Sequence, residues 1–442
     1  MAGGYPAGTM TDTTADAYVP GHGDLSFGVR HYSLGLAYKV VGNRLDGDAR
    51  LTCVAHEDLT GIELDLAHLR VAKVWVQDRQ ARHTHRRNRL VVPVSAAAGE
   101  EFEVRVTYTG NPKPLRARHL GTAGWEELAD GVIVAAQPHG APTWFPCNDR
   151  PSDKATYAVT ILAPQDYHVA MSGELTDRSR RGSGIEWTYE MTTPMAAYLA
   201  TCQIGRYTSR ELGHGVTVVA PGDLTGPAYD ASFARQPEMM AFFEDRFGDY
   251  PFESYTCVVT DDDLEIPLES QSLSTFGRNF ASDDWDAVRL VAHELAHQWF
   301  GNAVTLTEWR DIWLHEGFAC YAEWLWSEES TDRSADDWAQ HHHERLAGLD
   351  QDLLLADPGP ELMFDDRLYK RGALALHALR RTVGDDDFFD VLRTWVGDNT
   401  GASVTTADFE AVVEDVTGST QAPLFDAWLR ETSLPDLPDA TG

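Results

Sequence analysis

Two histidines four residues apart, His293 and His297, enclose Glu294 in the stretch VAHELAHQWFGN. On a helix, positions i and i+4 lie on one face about one turn apart. Both imidazoles can therefore meet one Zn²⁺ at about 2.0–2.1 Å. Glu294 sits beside them, where its carboxylate can take a proton from water. A catalytic zinc needs a third protein ligand and an open position. Glu316, in DIWLHEGFACYAEW, is the natural candidate, with 18 residues between it and His297, enough for a loop and the start of a second helix. The expectation is one zinc per chain on His293, His297 and Glu316, with Glu294 as the catalytic acid/base.

Helices must carry these residues, and the sequence provides the pattern for them. From Asp286 onward the apolar residues Val288, Val291, Leu295 and Trp299 fall at helical spacing. Further helices are expected over 312–328, 335–349, 368–383, 386–396, 406–416 and 422–431. Gly384 and Gly418 read as helix stops, and Thr405 or Thr406 as a cap near Asp408. The first half has a different period. Short alternating runs at 51–55, 62–66, 71–76, 89–93, 101–108, 157–163 and 184–191 are separated by turn residues such as Gly110-Asn111-Pro112. A chain of 442 residues exceeds one ordinary core. The expected architecture is α+β. Residues 1–23 form a mobile tail, 24–209 an antiparallel β saddle or sandwich, and 210–442 a mainly helical catalytic domain.

Composition narrows the partners. The formal net charge is −33, which repels nucleic acid and anionic membranes. No apolar run approaches the roughly 20 residues of a membrane-spanning helix. The N-terminus lacks the basic start and apolar core of a secretory signal. Five scattered cysteines without a CxxC pair argue against a disulfide framework. A cytoplasmic setting fits this usage.

The motifs resemble the zinc aminopeptidase family that includes aminopeptidase N and leukotriene hydrolase, thermolysin-like gluzincins. HELAHQWFGN followed by WRDIWLHEGFACYAEWLW carries the resemblance first. QPHGAPTWFPCNDRPSDKATY resembles the first-domain signature, and LYKRGALALHALR the Tyr-x-Lys-Gly helix. DFEAVVEDVTGSTQAPLFDAWLRETSLPDL resembles the end of the catalytic domain. The resemblance implies a short form without the C-terminal helical domain of larger relatives. It also implies residue roles. Glu269, in EIPLESQSLSTF, would bind the free α-amino group of a peptide. Tyr369 would donate to the developing oxyanion, and Glu323 would orient a ligating histidine. Gln137 would line the substrate pocket. Pro267 departs from the usual anchor motif and has no N–H to offer. Arg371 stands where lysine is usual and keeps the charge. His315 stands where the family usually has Asn and reads as a packing or hydrogen-bonding residue. Asp149 and Lys154 read as structural. The implied function is hydrolysis of the first peptide bond of substrates with a free N-terminus. Two rivals stand beside it: a related zinc endopeptidase or hydrolase of a non-peptide substrate, and a non-catalytic binding module that retains the fold.

Other clusters give less. His341, His342 and His343 are consecutive, so on a helix they point about 100° apart and are expected exposed. HTHRRNR, residues 83–89, reads as a solvated hairpin. No Gly-rich phosphate loop and no GxSxG elbow is present.

Overall fold

The alternating runs of the first half become a mixed eight-stranded sheet in the computed structural model, which describes residues 16–439. Its strand order is Glu174–Arg181, Gly184–Ala196, Lys154–Pro164, Phe27–Lys39, Arg44–Ala55, Glu101–Gly110, Arg70–Val76 and Arg79–Ala81. Five of the seven expected runs lie within strands of this sheet, while 62–66 and 89–93 lie in a separate three-stranded sheet and each passes one residue beyond its strand. The sheet is antiparallel except where Phe27–Lys39 runs parallel to Lys154–Pro164, His31 opposite Thr156. Alternation along Lys154–Pro164 explains its place. Ala155, Tyr157, Val159, Ile161 and Ala163 are buried, and the residues between them are partly exposed. A five-stranded sheet and a three-stranded one complete this domain. HTHRRNR does form a hairpin, Thr84–Arg86 with Arg89–Val92, but Arg89 turns inward to pair with Asp65 and Glu63.

The second domain opens with strands. Thr208–Gly213 and Val216–Ala220 join Tyr255–Val259, Leu273–Phe276 and Leu268–Ser270 in a second five-stranded sheet. Thr208 pairs with Ala220 at the start of this sheet. The helices follow: Trp285–Ala296, Trp313–Ser330, Ala335–Ala347, Asp366–Val383, Asp385–Asn399 and Thr406–Thr417. Thr405 forms a capping box with Asp408, and Gly418 ends its helix in the left-handed conformation at φ +66°. Below we call Trp285–Ala296 the histidine helix, Trp313–Ser330 the glutamate helix and Asp366–Val383 the tyrosine helix. No helix among the described residues is long and apolar enough to cross a membrane.

Two expectations are corrected. Residues 1–15 of the expected tail lie outside the described residues, but 16–23 pack firmly. Asp16 accepts from the Trp309 N–H at 2.7 Å, and the Tyr18 hydroxyl accepts from the Gly359 N–H at 2.7 Å. Burial of Tyr18 and Val19 holds this segment in place. His342 is buried, not exposed, because Trp324 and Trp338 stack on it at 5.4 and 5.7 Å.

One cation joins the two domains. The Lys154 ammonium, at the start of its strand, donates to the carbonyls of Asn302 (3.2 Å), Ala303 (2.9 Å) and Ala402 (3.2 Å). No carboxylate among the described residues pairs with it. Burial therefore lowers its pKa to about 7. The unfolded chain binds more protons here between pH 7 and about 10.4, so folded stability rises with pH over that window. Lys154→Met should cost about 1–3 kcal/mol at pH 7 through the orphaned carbonyls. The cost should grow toward pH 10 in chemical denaturation; a cost that shrinks with pH contradicts the depressed lysine.

Candidate active site

Asp284 caps the histidine helix by accepting from the Asp286 N–H, and Val288, Val291 and Leu295 bury its apolar face. His297 lies on the last turn, its N–H still bonded to the His293 carbonyl at 3.1 Å. The two rings consequently meet edge to face with centroids 4.7 Å apart. The chain then turns sharply at Gly301, φ +126°, where a Cβ would stand 3.2 Å from His297 Nδ1. That turn brings the Phe300 carbonyl 3.0 Å from His297 Nδ1, while His293 Nδ1 lies 2.8 Å from Glu323 Oε1. Each Nδ1–H thus donates outward, which leaves each Nε2 lone pair for the centre.

The glutamate helix supplies the third group. Glu316 Oε2 lies 3.4 Å from His293 Nε2 and 3.4 Å from His297 Nε2. Two turns on, Glu323 meets His293 through one oxygen and Arg289 Nη1 through the other at 3.2 Å, with Lys370 Nζ 3.6 Å away. The tyrosine helix reaches the same place because glycine meets glycine. A Cβ on Gly372 would stand 2.7 Å from the Gly317 Cα, so any side chain here forces the helices apart. This contact lies one residue from Glu316 and three from Tyr369. The Tyr369 ring lies nearly parallel to His293, 6.0 Å away. Its neighbour Arg371 points elsewhere, and its guanidinium donates to C-terminal carbonyls including Thr432 (2.7 Å) and Trp428 (3.1 Å).

The anchor candidate stands opposite. Glu269 lies on Leu268–Ser270, paired with Ser274, and its Oε1 accepts from Gln137 Nε2 at 2.6 Å. Glu269, Glu294 and His297 have ligand atoms within 4.8 Å of one another, as do His293, His297 and Glu316. Pro267 is buried and Ile266 is 69% exposed at this edge. His315 accepts from the Leu306 N–H at 2.9 Å, and burial lowers its pKa to about 3.

The cluster holds more negative charge than its cations balance. Burial opposes a charged His297, yet Glu269, Glu316 and Glu294 push it up to about 10. Burial, against His293 and aided by Glu269, pushes Glu294 up to about 8. Burial would raise Glu316, but both histidines hold it well below the usual carboxylate range. Tyr369 is pushed up by burial first, then by Glu316, Glu269 and Glu294. Two nitrogens and a carboxylate oxygen on one point are a zinc donor set, and Nδ1 bonds that free both Nε2 atoms complete the fit.

Comparison with known proteins identifies the lineage. The description "Peptidase M1 N-terminal domain" matches residues 29–199, and "Peptidase family M1 domain" matches residues 231–428. An M1 zinc metallopeptidase mutant from Deinococcus radiodurans, solved with a Tyr-Ser-Ala substrate, superposes with a TM-score of 0.87 at 31% identity, covering 97% of this chain and 99% of that one. The chain belongs to peptidase family M1. Pig glutamyl aminopeptidase is 26% identical over 68% of this chain and 34% of its own length. Xenopus laevis leukotriene A-4 hydrolase is 26% identical over 67% of this chain and 51% of its own. The chain thus spans about a third to a half of these curated relatives. The yeast leukotriene A4 hydrolase structure, at 20% identity and a TM-score of 0.80, shares the fold.

Within this M1 chain, sequence reasoning overlooked Arg289, Lys370 and Tyr198. Arg289 stands four residues before His293 and Lys370 beside Tyr369, so spacing along each helix was a usable signal. Tyr198, from the first domain, is buried with its hydroxyl unpartnered and in the field of Glu269 and Glu316. It has no sequence signal, because only folding brings it there. Glu323→Gln should keep the fold and lower zinc affinity roughly 10- to 100-fold, since His293 loses its charged partner. Competitive chelator titration measures this; unchanged affinity contradicts the orienting role.

Proposed function

We propose that the chain is a zinc aminopeptidase, hydrolysing the first peptide bond of peptides with a free N-terminus. One observation carries the reading: a buried carboxylate, Glu269, faces the His293–His297–Glu316 cluster across Glu294. A carboxylate that far inside a cleft demands a cationic partner. The α-ammonium of a peptide is one, and it would hold the first peptide bond at the metal. The Tyr-Ser-Ala, L-tryptophan and L-arginine named for the solved relatives have such an amine.

His293, His297 and Glu316 would hold the zinc. When bound, zinc supplies Lewis-acid polarisation of the scissile carbonyl and acidifies the attacking water. Glu294 has a buried Oε2 without a partner, free to take the water's proton and pass it to the leaving amine. Tyr369 keeps its proton at neutral pH and donates it in a hydrogen bond to the developing oxyanion. Gln137 holds one oxygen of Glu269 and aims the other at the ammonium. Glu323 holds His293, backed by Arg289 and Lys370.

Two variants test this. Glu294→Gln should retain zinc by elemental analysis and lose turnover at least about 100-fold; normal turnover sinks the acid/base assignment. Glu269→Ala should cost about 1.5–3 kcal/mol in kcat/KM, roughly 10- to 150-fold, on free-amine peptides and little on N-acetylated ones. Equal losses on both reject the anchor and favour an endopeptidase.

A further inference from the structure

The arginines of the hairpin after Asp78 have no task in the peptidase site. Residues 79–99 hold five arginines and neither aspartate nor glutamate, in a chain whose net charge is −33. Arg89 turns inward to Glu63 and Asp65. Arg79, Arg82, Arg86 and Arg87 are exposed, and among the described residues no carboxylate pairs with any of them. Arg87 also stands at a strained place. It and Asn88 have φ of +50° and +64°, the left-handed pair of a tight hairpin turn, where Asn and Gly are favoured over arginine.

Two sheet edges meet at the same place. Arg79–Ala81 is the last strand of the eight-stranded sheet, and Thr84–Arg86 is the last strand of the three-stranded one. Each pairs on one side only, with Arg70–Val76 and Arg89–Val92 respectively. Only Arg82 and His83 separate them, so residues 79–86 present two open edges in succession. An edge strand carries N–H and C=O groups that an added strand can pair. Along such a strand alternate side chains share one face, and here the flanking charge is all of one sign.

We propose that this arginine-flanked edge docks an extended acidic segment of another polypeptide, which adds as a strand and sets its carboxylates against Arg79, Arg82, Arg86 and Arg87. Backbone pairing supplies part of the affinity, and guanidinium forks that grip carboxylates through paired N–H donors select for acidity. Nucleic acid carries the same sign of charge, but residues 79–99 contain no Phe, Trp or Tyr on which bases could stack. The acidic remainder of the chain also repels a long polyanion. A second copy of the chain, with its own net charge of −33, is repelled in the same way. A short acidic segment reaches the arginines without lying across that remainder.

The probe is a fluorescent peptide of alternating Glu and Val, long enough to span both strands, acetylated and amidated so that it has no free N-terminus. Its binding to the full chain is read by anisotropy. Wild type should bind it, more weakly as salt rises. Combined Arg79→Gln, Arg82→Gln, Arg86→Gln and Arg87→Gln should weaken binding at least roughly 10-fold and leave hydrolysis of a short neutral peptide unchanged. The same peptide with its backbone N–H groups methylated should lose binding to wild type, a comparison that needs no variant to fold. Absence of binding overturns the proposal and leaves the arginines as guards of the edges. Equal binding by the arginine variant, or equal binding of the methylated peptide, overturns it as well. So does tighter binding of an oligonucleotide than of the peptide, or a salt-sensitive dimer of the chain in sedimentation that the arginine variant abolishes.

Discussion

Three carboxylates and two imidazoles converge on one buried point, and no lysine or arginine among the described residues pairs with Glu269, Glu294 or Glu316. Glu269, Glu294 and Glu316 are each no more than 6% exposed, as are His293 and His297. Against the opposing effect of burial, the carboxylates push the pKa of His297 up, and burial pushes up that of Glu294. In the proposed function a metal ion and a substrate ammonium would relieve the same imbalance, so cofactor affinity and substrate choice would come from one electrostatic fact. The surroundings maintain that imbalance. Arg289 and Lys370 spend their charge on Glu323, one carboxylate further out, and Arg371 spends its charge on backbone carbonyls.

Geometry at that point depends on close packing that side chains would forbid. Gly317 against Gly372 lets the glutamate and tyrosine helices touch backbone to backbone, and Gly301 lets the turn after the histidine helix fold under His297. Interiors transmit small displacements because they are close-packed. One added methyl at either place therefore moves a ligand or the phenol.

The two domains contribute unequally but inseparably. His293, His297 and Glu316 come from the second domain. Gln137, which donates to Glu269, comes from the first, as does Lys154, which donates to the carbonyls of Asn302, Ala303 and Ala402. Residues 16–23 cross between them through Asp16 and Tyr18. The cleft is thus a product of their docking.

Much of this was legible in the residues alone. The i, i+4 pairing of His293 and His297, the seven-residue step from Glu316 to Glu323, the helices and most long strands follow from local periods of 3.6 and 2, which neighbouring residues encode. Family resemblance pointed to Glu269, Gln137 and Tyr369, which no spacing rule joins to residue 293. Long-range juxtaposition was beyond local pattern. Nothing near Tyr198 announces Glu269, nothing near Lys154 announces Asn302, and the aromatic slot that buries His342 exists only after two helices pack. The sequence by itself determined which chemistry is available, because ligand types and helical spacing are local properties. Only the tertiary structure decided which charges meet, which stay unpaired and how close two backbones come, because those follow from packing between segments far apart in the chain.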